Sequence, residues 1–174
     1  MTQLLANQKI VVLAEDLYED LELWFPVFRL SEEGAQILLV GTGKETYKGK
    51  NGYPVTVDSN IQTINANDFD GVVIPGGYAP DRLRRYPEVI SLVREMYDNG
   101  KVVAAICHAA WIPISAGIVK GKRMTCFPGI KDDLINAGAL YEDTEVVRDG
   151  RLISSRNPQD LIAFCREIIQ ALTQ

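Results

Sequence analysis

Histidine is almost missing from this chain. A single one, His108, stands among 174 residues. That count excludes a histidine-based metal centre and leaves one position for any catalytic imidazole. Cysteine is scarce too. Cys107, Cys126 and Cys165 are too few, and odd in number, for a disulfide framework, which suits a reducing compartment. No apolar run approaches the ~20 residues that a membrane helix needs. The opening "MTQLLANQKIVVLAED" lacks the charged start and long apolar core of a secretory signal. A cytoplasmic location is expected. Positive charge is in deficit: 18 Lys and Arg against 23 Asp and Glu give a net charge of −5. Constitutive binding to nucleic acid or to an acidic membrane is disfavoured, because both call for a basic face. The one basic cluster, Arg82, Arg84 and Arg85, reads as a solvated face. Repeats, linkers and low-complexity segments are absent, and the length suits one domain over 1–174 with a substantial core.

What is present is an alternation of apolar runs and amphipathic stretches. "KIVVLA" (9–14), "QILLV" (36–40), "DGVVIPGG" (70–77) and "KVVAAI" (101–106) read as buried strands from their β-branched runs. The last is the most apolar and is expected near the sheet centre. Helices are expected over 19–33, with Pro26 as a kink and Gly34 as the stop, from Pro87 to Gly100, and over 109–116. "KGKNGYPVTV" (48–57) carries an Asn-Gly turn and predicts a small hairpin. Farther on, "RMTCF" (123–127) is strand-like, "KDDLINAG" (131–138) helical, and "EVVRDGRLISS" a hairpin turning at 149–150. A last helix starts at Asn157-Pro158 and faces the core with Leu161, Cys165, Ile168 and Leu172. Strands alternating with helices imply an α/β fold with a mainly parallel sheet. In such sheets ligands bind beyond the carboxyl ends of the strands.

Three strand ends carry unusual chemistry. "ICHAA" sets Cys107 and His108 at a strand-to-helix junction among small alanines. A tight turn there would present the sulfur over the sheet edge, as in a nucleophile elbow, and a helix N-terminus would favour thiolate. Cys126 and Cys165 read as core fillers. "IPGGYAPDR" (74–82) has two glycines that let the backbone turn and expose N–H groups. The amides of Gly77 and His108 could then form an oxyanion hole. In "AEDLYEDLELWFPVF" (14–28) the early acids suit a helix start, but Glu22 stands among Leu21, Leu23, Trp24 and Phe25. Two readings of it stay open: a surface glutamate snorkelling from the polar stripe, or a buried carboxyl held protonated that donates to the Cys107 sulfur.

Together these residues resemble the DJ-1/PfpI superfamily, and more closely its PfpI-like branch of intracellular proteases, general stress proteins and deglycases. "LELWFP", "GKNGYPVTVD", "DFDGVVIPGG", "NGKVVAAICH", "PGIKDDLINAGA" and "EVVRDGRLISSRNPQDL" match in order over almost the whole chain, and "AICH" is the specific signature. The resemblance implies a flavodoxin-like three-layer α/β sandwich with helices on both faces of the sheet. It implies a nucleophile at Cys107, a base at His108 and a cysteine-bonding carboxyl at Glu22. It also implies an acid from a neighbouring subunit that completes the triad, matched here by Asp81, and hence a homodimer or a hexamer built from dimers. Asp81 is one methylene shorter than the glutamate of the founding member. Phe127 stands where some members have tyrosine. Glu19, Lys50 and Tyr53 match positions that line the site in some members, and Gly76 is expected at the site with Gly77 as part of the two-glycine loop. No metal or cofactor is implied.

The function expected from this likeness is a cofactor-free, stress-protective cysteine hydrolase. Its substrates would be glyoxal or methylglyoxal adducts of proteins, or the free dicarbonyls. Two alternatives use the same thiol: an intracellular cysteine peptidase acting on peptides, and a non-enzymatic redox sensor or holdase chaperone. The single histidine argues against a glutamine amidotransferase, in which a distant His-x-Glu pair serves the cysteine.

Overall fold

The computed structural model describes residues 3–174; the first two residues of the expected domain lie outside that range. Strand β1 (Lys9–Leu13) leads into helix α1 (Asp20–Glu32) and strand β2 (Gln36–Gly41). A hairpin of β3 (Thr46–Lys48) and β4 (Pro54–Thr56) follows, then the two-residue β5 (Ser59–Asn60) and β6 (Gly71–Ile74). Next come α2 (Ala79–Leu83), α3 (Pro87–Asp98), β7 (Val102–Ile106) and α4 (Trp111–Ser115). The chain closes with β8 (Arg123–Met124), α5 (Lys131–Asn136), β9 (Leu140–Tyr141), the hairpin β10 (Val146–Asp149) and β11 (Leu152–Ser155), and α6 (Leu161–Leu172).

Seven strands form the main sheet in the order β10-β11-β7-β6-β1-β2-β5. All neighbours are parallel except the β10–β11 hairpin. β6, β7 and, after Lys9, β1 are apolar without alternation because helices cover both faces, and all residues of β6 and β7 are buried. α1 packs with α6 and α3 with α4, and β7 touches both α3 and α6. The stripe Leu161, Cys165, Ile168 and Leu172 is buried as its spacing predicts. The fold is the flavodoxin-like sandwich.

Some details differ from the sequence reading. The middle strand is β6, with β7 beside it. "RMTCF" contributes only two residues of strand, paired with β9 outside the main sheet, because Thr125 N–H instead donates to the Ser154 hydroxyl. The segment after β7 starts as a 3₁₀ turn, Cys107–Ala110, before α4. The five-residue α2 was not foreseen.

The strand order places the site. From β1 the chain adds β2 and β5 on one side, whereas β6, β7 and β11 extend the other. Direction therefore reverses between β1 and β6, and the carboxyl ends of these strands open the crevice in which such folds bind ligands. The loops after β1, β6 and β7 all meet there.

Candidate active site

The loop after β1 is sewn to the loop after β6. Tyr18 and Gly77 form an isolated antiparallel bridge, Glu19 N–H donates to Gly76 O (3.1 Å), and Tyr78 N–H donates to Leu17 O (2.9 Å). Leu17 takes a left-handed backbone, φ 66°, to make this turn, which costs about 1 kcal/mol for a residue with a side chain. Glycine is required on the other side. Gly77 has φ 77°, and a Cβ there would stand 2.4 Å from Leu17 O. A Cβ on Gly76 would lie 2.4 Å from Glu22 Oε2 and 2.6 Å from Cys107 Cβ. Gly76 is the gap through which carboxyl and thiol approach each other.

Cys107 is the other described non-glycine residue with positive φ, 63°. This strained turn directs it away from the strand and into the crevice. Its Sγ lies 3.3 Å from His108 Nδ1. The backbone N–H groups of His108 and Gly77 lie beside the sulfur and favour its charged form. These are the two amides that the sequence marks as oxyanion donors. A cavity of about 380 Å³ opens here, lined by Glu19, Glu22, Lys50, Gly77, Tyr78, Cys107, His108, Phe127, Asn157 and Pro158.

Glu22 is fully buried in α1, which settles the open choice between a snorkelling and a buried carboxyl. Its Oε2 accepts from Gly76 N–H (2.8 Å) and its Oε1 has no partner of hydrogen-bonding geometry. Glu19 caps α1 by accepting from Glu22 N–H (2.8 Å). Burial, and then the charge of Glu19, push the Glu22 carboxyl up to about 8, so Glu22 is protonated at neutral pH.

The thiol departs from the expected ready ionisation. Burial first, and the Glu22 carboxylate second, push Cys107 up to about 12, against the lowering effect of the two amides. The following helix is a 3₁₀ turn and five α-helical residues, too short to offset burial by its dipole. The two groups titrate as a pair. Once Glu22 carries its proton, its repulsion of the sulfur vanishes, so a thiolate forms more readily beside a neutral Glu22. His108 is lowered by burial and by the charge of Lys50, and is a neutral base at neutral pH. The resting pair is thus thiol and imidazole, with a proton path of 3.3 Å between them.

Aromatic rings fix the imidazole. Phe127 stacks on it (centroids 4.7 Å apart, 24° between planes) and Trp111 meets it edge-on at 5.3 Å. Phe127 N–H donates to Cys107 O, and Trp111 Nε1 donates to Asp133 (2.8 Å). Among the described residues no hydrogen bond forms at His108 Nε2.

Two sequence-marked residues lie apart. Tyr53 does not reach this cavity: the β3–β4 hairpin carries it outward, edge-on to Trp24 at 5.6 Å, in a separate apolar cleft with Phe28 and Leu21. Asp81 sits half-exposed on α2, ion-paired with Arg85, and is not part of the cavity wall. Four wall or support residues escaped the sequence reading of the site: Tyr78, Trp111, Asn157 and Pro158. Trp111 was detectable, three residues after His108 and so on the same helical face. Asn157 was marked only as a cap. It reaches the site because β11 lies beside β7, with Ser155 opposite Ile106, so the residues that follow the two strands are neighbours.

No helix among the described residues is long and apolar enough to cross a membrane. The profile of the DJ-1/PfpI family matches residues 8–171. The chain is 44% identical over 164 residues to a protein named deglycase PfpI from Pyrococcus furiosus, covering 94% of this chain and 99% of the relative. It is 38% identical over 170 residues to protein/nucleic acid deglycase 2 from Escherichia coli, covering 95% and 98% respectively. The crystal structure of a two-domain Anabaena variabilis protein with DJ-1/ThiJ/PfpI-like and ferritin-like domains superposes with a TM-score of 0.94 at 40% identity. That match covers 95% of this chain and 48% of the other.

Proposed function

The chain belongs to the DJ-1/PfpI family, and from that premise we propose that it is a cysteine-dependent hydrolase of glyoxal and methylglyoxal adducts, acting in the cytoplasm in protection against stress. The carrying observation is the Cys107 Sγ–His108 Nδ1 contact of 3.3 Å in a cavity that also holds two backbone donors. Relatives named deglycases support the substrate class.

The reaction needs only side chains and water. As Cys107 attacks the carbonyl carbon of the adduct, a C–S bond forms and the C=O π pair moves onto oxygen. The thiol proton passes to His108 Nδ1. The Gly77 and His108 amides, already beside the sulfur, stabilise the oxyanion. Protonated Glu22 keeps negative charge away from the forming thiolate. The imidazolium returns its proton to the leaving thiol, which frees C1 as an aldehyde. Water adds to C1, and the C1 hydride shifts to the former carbonyl carbon as the Cys107 sulfur leaves it. C1 is thereby oxidised to the carboxyl, C2 is reduced to the alcohol, and the thiol is regenerated. Over the full cycle a methylglyoxal hemithioacetal and one water become a free thiol and lactic acid.

The test compares methylglyoxal-modified N-acetylcysteine, free methylglyoxal and a labelled peptide, each with wild type and Cys107→Ser. Turnover of the adduct, lost by at least ~10³-fold in the variant, is expected. Peptide cleavage without adduct turnover would assign the peptidase instead. Aggregation suppressed equally by both proteins, with no turnover, would assign a chaperone.

His108 Nε2 needs an acceptor to fix the tautomer in which Nδ1 is free to take a proton. Asp81 of a second copy supplies it in this reading, so the active unit is a homodimer or a hexamer of dimers. Asp81→Asn should lower turnover by ~10 to 10³-fold and leave Cys107 alkylation in place. Mixing Cys107→Ser with Asp81→Asn under subunit exchange should partly restore activity, because a mixed pair holds one complete set. No recovery despite proven exchange would put the acid in the same chain or make it dispensable.

A further inference from the structure

The walls of the Cys107 cavity differ in what they leave unpaired. Asn157 caps the turn that opens α6, and its Oδ1 accepts from Gln159 N–H (3.1 Å). That bond fixes the amide: the oxygen faces the helix, and Nδ2 is the end left over. Nδ2 has no partner among the described residues. The next wall residue, Pro158, has no N–H to offer. Lys50 is the second unpaired donor. Like Lys9, Lys48, Lys120 and Lys131, Lys50 forms no ion pair among the described residues, and it alone of these lines the cavity. Its charge nevertheless acts on both Glu22 and His108, so the ammonium stands close to the reacting pair. Of the two wall carboxyls, Glu22 is protonated at neutral pH. Glu19, whose charge raises Glu22, has Oε2 turned to Glu22 N–H and shares the wall with the Lys50 ammonium as its counter-charge.

We propose that Asn157 and Lys50 make this cavity a carboxylate-binding site, whose ligand is a short 2-hydroxy or 2-oxo carboxylate. A locked amide donor and an unpaired ammonium match an anionic acceptor with two oxygens. Wall Phe127 and Tyr78 suit its short carbon chain. The identity of the ligand rests on the proposed reaction, since its released acid is a 2-hydroxy carboxylate. The carboxylate preference itself does not.

The experiment therefore uses alkylation, which requires only the thiol. Rates of Cys107 modification by iodoacetate and by iodoacetamide are measured by peptide mass spectrometry, with N-acetylcysteine as the free-thiol reference. Wild type should show an iodoacetate-to-iodoacetamide ratio at least threefold above the reference. Asn157→Ser and Asn157→Asp retain a capping oxygen and so retain the helix start. The ratio should fall in Asn157→Ser, fall further in Asn157→Asp, and fall in Lys50→Met. L-lactate or glycolate should slow iodoacetamide modification of wild type, and less so in the variants. A wild-type ratio at the free-thiol value, or a raised ratio unchanged by the substitutions, overturns the proposal. Should adduct turnover be absent while the ratio stays high and responds to the variants, the carboxylate site stands and the deglycase reading alone fails.

Discussion

Cys107 and Cys165 are both buried thiols of one sandwich, and burial lifts each to about 12. Cys126 is held at the same level for the same first reason. Resting acidity therefore does not separate the three. Their surroundings do. Cys165 faces the core from the middle of a regular helix, and Cys126 is entirely enclosed. Cys107 stands at φ 63°, 3.3 Å from an imidazole, with two amides beside its sulfur and a cavity in front. Reactivity in this molecule comes from a base placed to take the proton at the moment of attack, and from a neighbouring acid kept neutral, more than from a thiol already ionised at rest.

The sharpest way to break this comparison is competitive labelling of the folded protein at pH 7.5 with limiting iodoacetamide. Cys107 is 7% exposed, against 0% for Cys126 and 1% for Cys165, and it alone has a neighbouring base. The two enclosed thiols react only through opening of the structure, so Cys107 should be modified about 10³-fold faster or more. Comparable labelling at any of the three positions would remove the special environment argued for Cys107.

The same contrast explains what the sequence made legible. The four long parallel strands are continuous β-branched apolar runs, and their order of use along the chain is unambiguous. Cys107 and His108 are adjacent in the chain, but adjacency alone suggests side chains that diverge from the turn, so the 3.3 Å contact between Sγ and Nδ1 came only with the structure. Gly76 and Gly77 are a weak signal, since most glycine pairs after a strand are only turns, and it is the close approach of Glu22 and Cys107 across Gly76 that shows their use. What stayed hidden depended on neighbours in space. Glu22 could not be assigned as buried from its own helix, because Gly76 and Cys107 decide it from other strand ends. The rise in the thiol's pKa is hidden for the same reason: sequence shows a helix start, not how deeply the sulfur sits. Asn157 borders the site only because β11 pairs with β7. Tyr53 was misplaced because the hairpin's direction off the sheet is not written in its turn residues. Asp81 lies outside the cavity of its own chain, so the role expected for it waits on a second copy.

A smaller effect sharpens the comparison at Glu22. The carboxyl titrates near its ordinary 4.5 in the unfolded chain and at about 8 in the folded one. Between those values the unfolded state releases a proton that the native state retains, so the native state loses relative stability as pH rises from 4.5 to 8. The loss by pH 8 is roughly 4 kcal/mol. Glu22→Gln keeps the shape and an acceptor for Gly76 N–H but cannot ionise. Its melting temperature should therefore gain on wild type between pH 5 and pH 8, where Cys107 stays protonated in both states and does not interfere. Above pH 8 the wild-type carboxylate forms beside the sulfur and disfavours thiolate, so alkylation of Cys107 should rise less steeply with pH than in Glu22→Gln, by about tenfold at most. Both readings come from one pair of proteins, by thermal denaturation and by labelling rates across the same pH series. Parallel melting curves together with parallel labelling profiles would mean that Glu22 is ionised throughout, and that the neutral acid proposed to guard the thiolate is absent.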